Sequence, residues 1–357
     1  MKSLIRMTAV ILAICAVLYG IIYFSEKSDG YQSGNTVQLY NWGDYIDPDL
    51  IKKFEEESGY KVIYETFDSN EAMYTKIEQG GNSYDLAIPS DYMISKMIKN
   101  NMLHSLDYSK IEGIENIDER FMNHSFDPGN KYSIPYFWGT LGIIYNDKLV
   151  DEGDIEHWDD LWNPEYEDNI MLIDGAREVM GFSLNSMGKS VNDTDEKDLL
   201  AAREKLDKLV PNVKAIVADE MKMYMVQEEA MICVTFSGEA SEMVDHNENL
   251  HYVIPPEGSN LWFDNIVIPD TAQNIDGAYA LINFLLRPEN AAQNAEYIGY
   301  ATPNKGAMEI LPEEVVEDEQ FYPTEETIEH LEVYEDLGIE MLGIYNDLFL
   351  GFKMHRK

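Results

Sequence analysis

Between residues 37 and 100, three short apolar stretches alternate with three amphipathic ones, and each changeover carries its own punctuation. Residues 37–40 read as a buried strand. Asp47-Pro48 then places an N-cap ahead of a proline at the first helical position; Leu50, Ile51 and Phe54 form an apolar stripe, and Gly59 ends it. Residues 61–65 alternate as a strand. Asp68 and Glu71 have capping-box spacing before Met73, Tyr74 and Ile77, and Gly80-Gly81 stops that helix. Residues 85–89 form a third strand, followed by a helix from Ser90 toward Asn100. A β-α-β-α-β-α order needs crossover connections, so the expectation is a parallel, doubly wound α/β sheet.

The pattern changes at residues 132–145, a long extended run punctuated by Gly139 and Gly142 that reads as the chain crossing between domains. Helices and strands resume from 156 to 256. A second extended run covers 261–269, and an apolar helix over 276–287 is stopped by Pro288. Two crossings that bracket a middle region imply that one domain is inserted into the other. At 357 residues the chain has room for two domains of ordinary size. The expected division is 36–140 plus 265–316 for one lobe and 141–264 plus 317–357 for the other, with a ligand cleft at the crossings and hinge closure about them.

Ahead of these elements, Lys2 and Arg6 precede an uncharged apolar run over residues 7–24. A helix of that length spans about 27 Å, close to the roughly 30 Å hydrocarbon core of a bilayer. Positive-inside orientation puts residues 25 onward outside the cytoplasm. No small-x-small cleavage site follows the run, and Ile14 occupies the small-residue position of a lipobox at Cys15. The reading is an uncleaved signal-anchor, a transmembrane segment over 1–24, with cleavage or lipidation as the alternatives. Polar residues 25–35 read as a tether.

Sixty-six acidic against 26 basic residues leave a formal net charge of -40. That excludes nucleic acid as a partner, because phosphate contacts need clustered Lys and Arg, and it suits cationic ligands. Cys233 is the one cysteine beyond the apolar run, so that part of the chain has no disulfide. Enzyme signatures fail one by one. Gly188-Lys189-Ser190 ends like a phosphate loop, but Ser183 stands where the first glycine is required. Phe236-Ser237-Gly238-Glu239 lacks the leading glycine of a nucleophile elbow. The histidines show no metal-ligand spacing, and residues 192–198 lack the glycine and terminal acid of a calcium loop. The reading is therefore a binding protein and not an enzyme, without metal or cofactor.

Two aromatic–acid clusters supply the binding chemistry. The first is Tyr40-Asn41-Trp42-Gly43-Asp44-Tyr45 and the second is Leu261-Trp262-Phe263-Asp264. A carboxylate gives an organic cation a charge-assisted hydrogen bond, and a ring gives it a cation–π face.

These segments carry a resemblance, together with Tyr84-Asp-Leu-Ala-Ile-Pro-Ser-Asp-Tyr92, Ser133-Ile-Pro-Tyr-Phe-Trp-Gly139, Asp174-Gly-Ala-Arg-Glu178 and Ile298-Gly-Tyr-Ala-Thr-Pro-Asn304. Over residues 37 to about 350 the chain resembles the spermidine/putrescine-binding proteins of bacterial ABC importers, within the periplasmic-binding-protein-like class. The resemblance implies a two-domain α/β clam, a polyamine lying along the cleft, ABC permease subunits as partners, and a monomer. The implied ligand-binding residues are Trp42, Gly43, Asp44, Tyr45, Ser90, Tyr92, Asp174, Glu178, Phe236, Trp262, Asp264 and Tyr300. Arg177 is expected to pair with Glu178 or a neighbouring acid, and Trp138 to pack at the hinge. Four positions depart from the family pattern: Gly43 for a hydroxyl residue, Gly175 for a second acid, Phe236 for a tryptophan and Tyr334 for an amide. They leave the choice between spermidine and putrescine open. Another organic cation, or an enzyme on the same fold, are the competing readings.

Overall fold

The computed structural model describes residues 35–355 apart from 152 and 219. The anchor expected over 1–24, and all of the tether but its last residue, lie outside the described residues. Among the described residues no helix is long and apolar enough to cross a membrane.

Strand β1 (Thr36–Trp42) lies between two parallel neighbours, β2 (Lys61–Phe67) and the two-residue β3 (Leu86–Ala87). Helix α1 (Pro48–Ser58) begins at the expected cap, where the Asp47 side chain accepts from the Asp49 amide. It ends at Gly59, whose φ of 77° is the left-handed conformation glycine tolerates best. Leu50 and Phe54 are its buried stripe, and burying each contributes roughly 1.5–3 kcal/mol. Helix α2 (Asn70–Gln79) is capped by Ser69, not Asp68, because the serine oxygen is the one that reaches the Ala72 amide. Helix α3 (Asp91–Lys99) follows β3 directly.

The first extended run is a single strand, β4 (Ser133–Asn146), buried along all of its 14 residues. At about 3.3 Å per residue such a strand reaches about 46 Å. The second run is β9 (Leu261–Val267). It pairs antiparallel with residues 133–140 of β4 and with β3. The other end of β4 leaves β9 and pairs with β7 (Ile232–Phe236) and β8 (Leu250–Val253), both antiparallel. Beyond β7 come β5 (Ile170–Ile173) and β6 (Val213–Val217), parallel to one another. The strand order is β2-β1-β3-β9-β4-β7-β5-β6, with β8 on β4. Each half is thus mixed rather than purely parallel. The reason is geometric: a strand that leaves one half and a strand that returns to it run in opposite directions through the same gap.

Both halves are covered on two faces. In the first, Leu50, Phe54 and Ile282 belong to one apolar layer and Met73, Ile94 and Phe121 to another. In the second, Leu141, Ile143 and Trp158 join one layer while Ile144, Met221 and Cys233 join the other. Alternate residues of β4 feed opposite layers, as the period of two in a strand requires. The remaining helices of seven residues or more are α4 (Ala176–Asn185), α5 (Glu196–Leu209), α6 (Glu220–Val226), α7 (Ser237–His246), α8 (Ile275–Leu285), α9 (Pro288–Ile298) and α10 (Gly338–His355). Asp195 caps α5, which accounts for the acidic stretch 192–198 as a helix start. Trp138 is buried against Phe121 and Tyr322 on the crossing strand.

Candidate functional site

A cleft of about 570 Å³ opens where the two halves meet along β4 and β9. From the first half it receives the turn after β1 (Trp42, Gly43, Asp44, Tyr45), the start of α3 (Ser90, Asp91, Tyr92) and Tyr300 just past α9, and the crossing strand β9 adds Trp262 and Asp264. From the second half come Glu178 at the start of α4, Phe236 and Glu239 at the β7–α7 junction, and Tyr334. Of the twelve residues expected from the sequence, eleven line this cleft. Asp174 does not. Its carboxylate lies on the exposed surface, where Lys353 Nζ donates to both oxygens at 2.7 and 2.8 Å. It is the last residue before the turn into α4, and its side chain leaves on the side of α10 rather than on the cleft side.

Asp264 is the best-held acid. It is 7% exposed. Ser90 Oγ donates to Oδ1 at 2.6 Å and Tyr45 Oη to Oδ2 at 2.8 Å. Burial pushes its carboxyl up to about 6, with those two hydrogen bonds pulling the other way. Asn70 clamps the loop that carries Ser90: its Oδ1 accepts the Ser90 amide, and its Nδ2 reaches Ser90 Oγ and Tyr92 Oη at 3.0 and 3.1 Å. Tyr45 Oη serves one acid and Tyr92 Oη another, Glu71, at 3.3 Å.

Rings close the cleft sides. Tyr300 meets Tyr45 edge-on at 5.4 Å between centroids and Trp262 at 5.5 Å, and Trp262 meets Phe236 at 6.1 Å. Edge-to-face pairs of this kind leave ring faces presented to the cavity. Tyr300 comes from the first half yet lies against the second. Its Oη donates to Glu239 at 3.1 Å, and its ring occupies the space of the missing Gly238 side chain, where a Cβ would stand 1.4 Å from Cε1.

Glu178 is the principal acid of the second half. Burial raises its carboxyl above the ordinary range, opposed by its own amide and by the Arg177 charge. Its carboxylate folds back over Gly175, so closely that a Cβ there would lie 2.0 Å from Oε2. The absence of a side chain at Gly175 is therefore what lets Glu178 adopt this rotamer. Arg177 does not ion-pair with an acid as expected. It donates to Asn192 Oδ1 at 2.7 Å and to the Glu335 carbonyl at 3.2 Å, and its guanidinium stacks 4.3 Å from the Tyr334 ring centroid. It holds the Tyr334 segment in place and acts on Glu178 only through its field.

Sequence reasoning passed over Asp91, Asn70, Glu239 and Asn260, all of which line the cleft. Asp91 and Glu239 each sit in the first turn of a helix, where an acid needs no further explanation, and their position facing the cavity had no signal in the pattern. Seven carboxylates line the cleft (Asp44, Asp68, Asp91, Glu178, Glu239, Glu242 and Asp264) against one lysine, Lys222, which pairs with Glu242 at 2.6 Å. Among the described residues no group of His, Cys, Asp and Glu is placed to hold a metal ion.

Two mixed α/β halves joined by crossing strands, with an acid- and ring-lined cleft between them, define the architecture of a solute-binding protein. The model of bacterial extracellular solute-binding proteins matches residues 49–323, and the chain belongs to that family. It is 41% identical over 323 residues to the spermidine/putrescine-binding periplasmic protein of Escherichia coli (strain K12), covering 90% of this chain and 92% of that one. Among solved structures it is similar to the spermidine/putrescine ABC transporter substrate-binding protein of Streptococcus pneumoniae, at 64% identity and a TM-score of 0.85 over 91% of this chain and all of that one. A spermidine/putrescine ABC transporter protein from Listeria monocytogenes follows at 61% identity, a TM-score of 0.84, and 90% of this chain.

Proposed function

We propose that this chain is an extracytoplasmic receptor that captures a polyamine, spermidine or putrescine, in the interdomain cleft and delivers it to an ABC importer. The observation that carries the reading is Asp264: a buried carboxylate oriented by two hydroxyl donors, boxed by rings, and without an ion-pair partner among the described residues. A buried charge of that kind is costly until a cation arrives. Glu178 supplies a second anion for another ammonium, and Trp42, Tyr92, Trp262 and Tyr300 supply surfaces for the methylenes between. The relatives named above as spermidine/putrescine-binding support the same ligand class. Residues 36–140 plus 265–316 form the lobe that closes on 141–264 plus 317–357, turning about β4 and β9. The chain acts as a monomer at the outer face of the cytoplasmic membrane, held there by residues 1–24. It catalyses no reaction.

Calorimetric titration of the full-length protein tests this. Saturable one-to-one binding of spermidine or putrescine is expected. Absence of binding with both amines at millimolar concentration, alongside binding of a neutral or anionic solute, would refute the reading.

A narrower prediction follows from Gly175. Gly175→Ala is expected to push the Glu178 carboxylate out of its present rotamer and to weaken polyamine binding by about tenfold, the loss of one well-placed charged contact. The φ of −138° at Gly175 suits any residue, so folding is expected to survive. A crystal structure of the variant with unmoved Glu178, or an unchanged affinity, would show that this rotamer is irrelevant to binding.

A further inference from the structure

The corner after α9 reaches across to the other half. Tyr300 packs with the apolar layer of the first half, where its ring stands edge-on to Tyr45 at 5.4 Å and to Phe137 at 6.5 Å. The same ring covers Gly238 in the first turn of α7, a helix whose Ala240 and Met243 belong to a layer of the second half. A Cβ on Gly238 would stand 1.4 Å from Cε1, 1.9 Å from Cδ1 and 2.2 Å from Cζ of Tyr300. The backbone does not call for glycine here. Gly238 is not among the glycines of positive φ, and alanine is the better helix former. What the position excludes is a side chain.

Ring and notch are pinned to the same strand. The Trp138 amide of β4 donates to the Ala301 carbonyl at 3.1 Å, which fixes the residue after the ring. Two positions further along β4, the Thr140 amide donates to Ser237 Oγ at 3.1 Å, which fixes the residue before the glycine. The two anchor points are about 7 Å apart along the strand. The ring therefore seats beside the crossing strand, where the halves pivot, and a small displacement at a pivot is a large one at the rim of a cleft. The Tyr300 hydroxyl adds a hydrogen bond to Glu239 in the same turn of α7, at 3.1 Å.

We infer that Tyr300 and Gly238 set the closing angle of the cleft. The halves close fully because the ring seats on a residue without a side chain, and Gly238 is a positioning residue for that closure. This holds whatever solute the cleft takes and rests only on the two-lobe reading above. A Cβ at position 238 requires the ring to retreat by about 2 Å to reach ordinary carbon–carbon contact. The ring cannot turn aside without leaving Tyr45 and Trp262, so the halves stop short of the closed form instead.

The test is the distance between nitroxides on Lys52→Cys and Lys208→Cys, exposed positions on α1 and α5 in opposite halves, read by double electron–electron resonance in the full-length protein. Cys15→Ser removes one native cysteine, and the other, Cys233, is buried. With spermidine, the labelled parent is expected to reach a single short distance. Gly238→Ala is expected to stop at a longer one and to release spermidine about tenfold faster. Its ligand-free melting temperature is expected to be unchanged or raised, since alanine favours the helix. In a Tyr300→Ala background, Gly238→Ala is expected to change neither distance nor release rate further, because the ring it would strike is gone. Identical distances in Gly238→Ala and its parent overturn the inference. An equal effect of Gly238→Ala with and without the Tyr300 ring does so too. If spermidine leaves the parent unmoved, the polyamine reading fails; the ligand-free distance then decides, and Gly238→Ala must lengthen it for the closing angle to be set at this seat.

Discussion

Asp264→Ala is expected to lower spermidine affinity by at least a hundredfold, the largest loss of any single substitution in the cleft. Removing one partner of a buried, hydrogen-bonded charge pair costs about 3–5 kcal/mol, because the other charge is left in a dry site without an anion. Every feature of the site raises that figure for Asp264. Its two oxygens are already oriented by Ser90 and Tyr45, so little ordering is needed when the ammonium arrives. Tyr45→Phe removes one of those donors but leaves the charge, and is expected to cost about tenfold or less. The variant should also separate binding from stability. Asp264 is an unpaired buried acid in the empty protein, so its loss is expected to leave the ligand-free melting temperature unchanged or raised at about pH 8. Titration calorimetry of both variants with spermidine checks the order. Wild-type affinity in Asp264→Ala would remove Asp264 from the site.

The ligand-free protein is expected to melt at a lower temperature at about pH 8 than at about pH 5, and spermidine is expected to reverse that order. Burial raises Asp264 from 3.8 to about 6 and Asp91 from 3.8 to about 8, and it raises Glu178 as well. In the unfolded chain these carboxyls lose their protons near pH 4. Between about pH 4 and 8 the folded state therefore binds more protons than the unfolded one, and stability falls as pH rises. Below that window the sign changes. Ion-paired surface acids such as Asp118 and Asp207 lie below the ordinary range, and their contribution is lost as they take up protons. A polycation binds the ionised form of the cleft, so its stabilising effect is expected to be larger at the higher pH. The comparison belongs at about 1 M salt, where a Debye length of about 3 Å suppresses the self-repulsion of a chain with net charge -40. A ligand-free melting temperature that climbs from pH 5 to pH 8 under those conditions would mean that the cleft acids are already neutralised.

Much of this protein was legible before folding is considered. The Asp47-Pro48 start, the Leu50 and Phe54 stripe and the Gly59 stop are local, and all three appear where the pattern placed them. The two extended runs were legible because stretches rich in apolar, aromatic and β-branched residues favour strands, and they became β4 and β9. Local competition misled at Ser69, which took the cap from Asp68. Direction misled in the sheet, since a strand carries no mark of which way its neighbour will run.

Sequence by itself determined the alternation, the acid-and-ring chemistry and the segments that deliver it. Those depend on residue type and short spacing. Tertiary structure alone decided which acids face the cleft. Asp174 and Glu178 stand four positions apart in the chain, yet one pairs with Lys353 in solvent and the other folds over Gly175 into the cavity. Asp91 and Asp264 are 173 positions apart in the chain and share one buried floor, as the Phe263 amide on Asp91 demonstrates. Burial is what turns such carboxylates from solvated charges into a receptor for cations. It is a property of everything packed around a residue, and no run of neighbours in the chain encodes it.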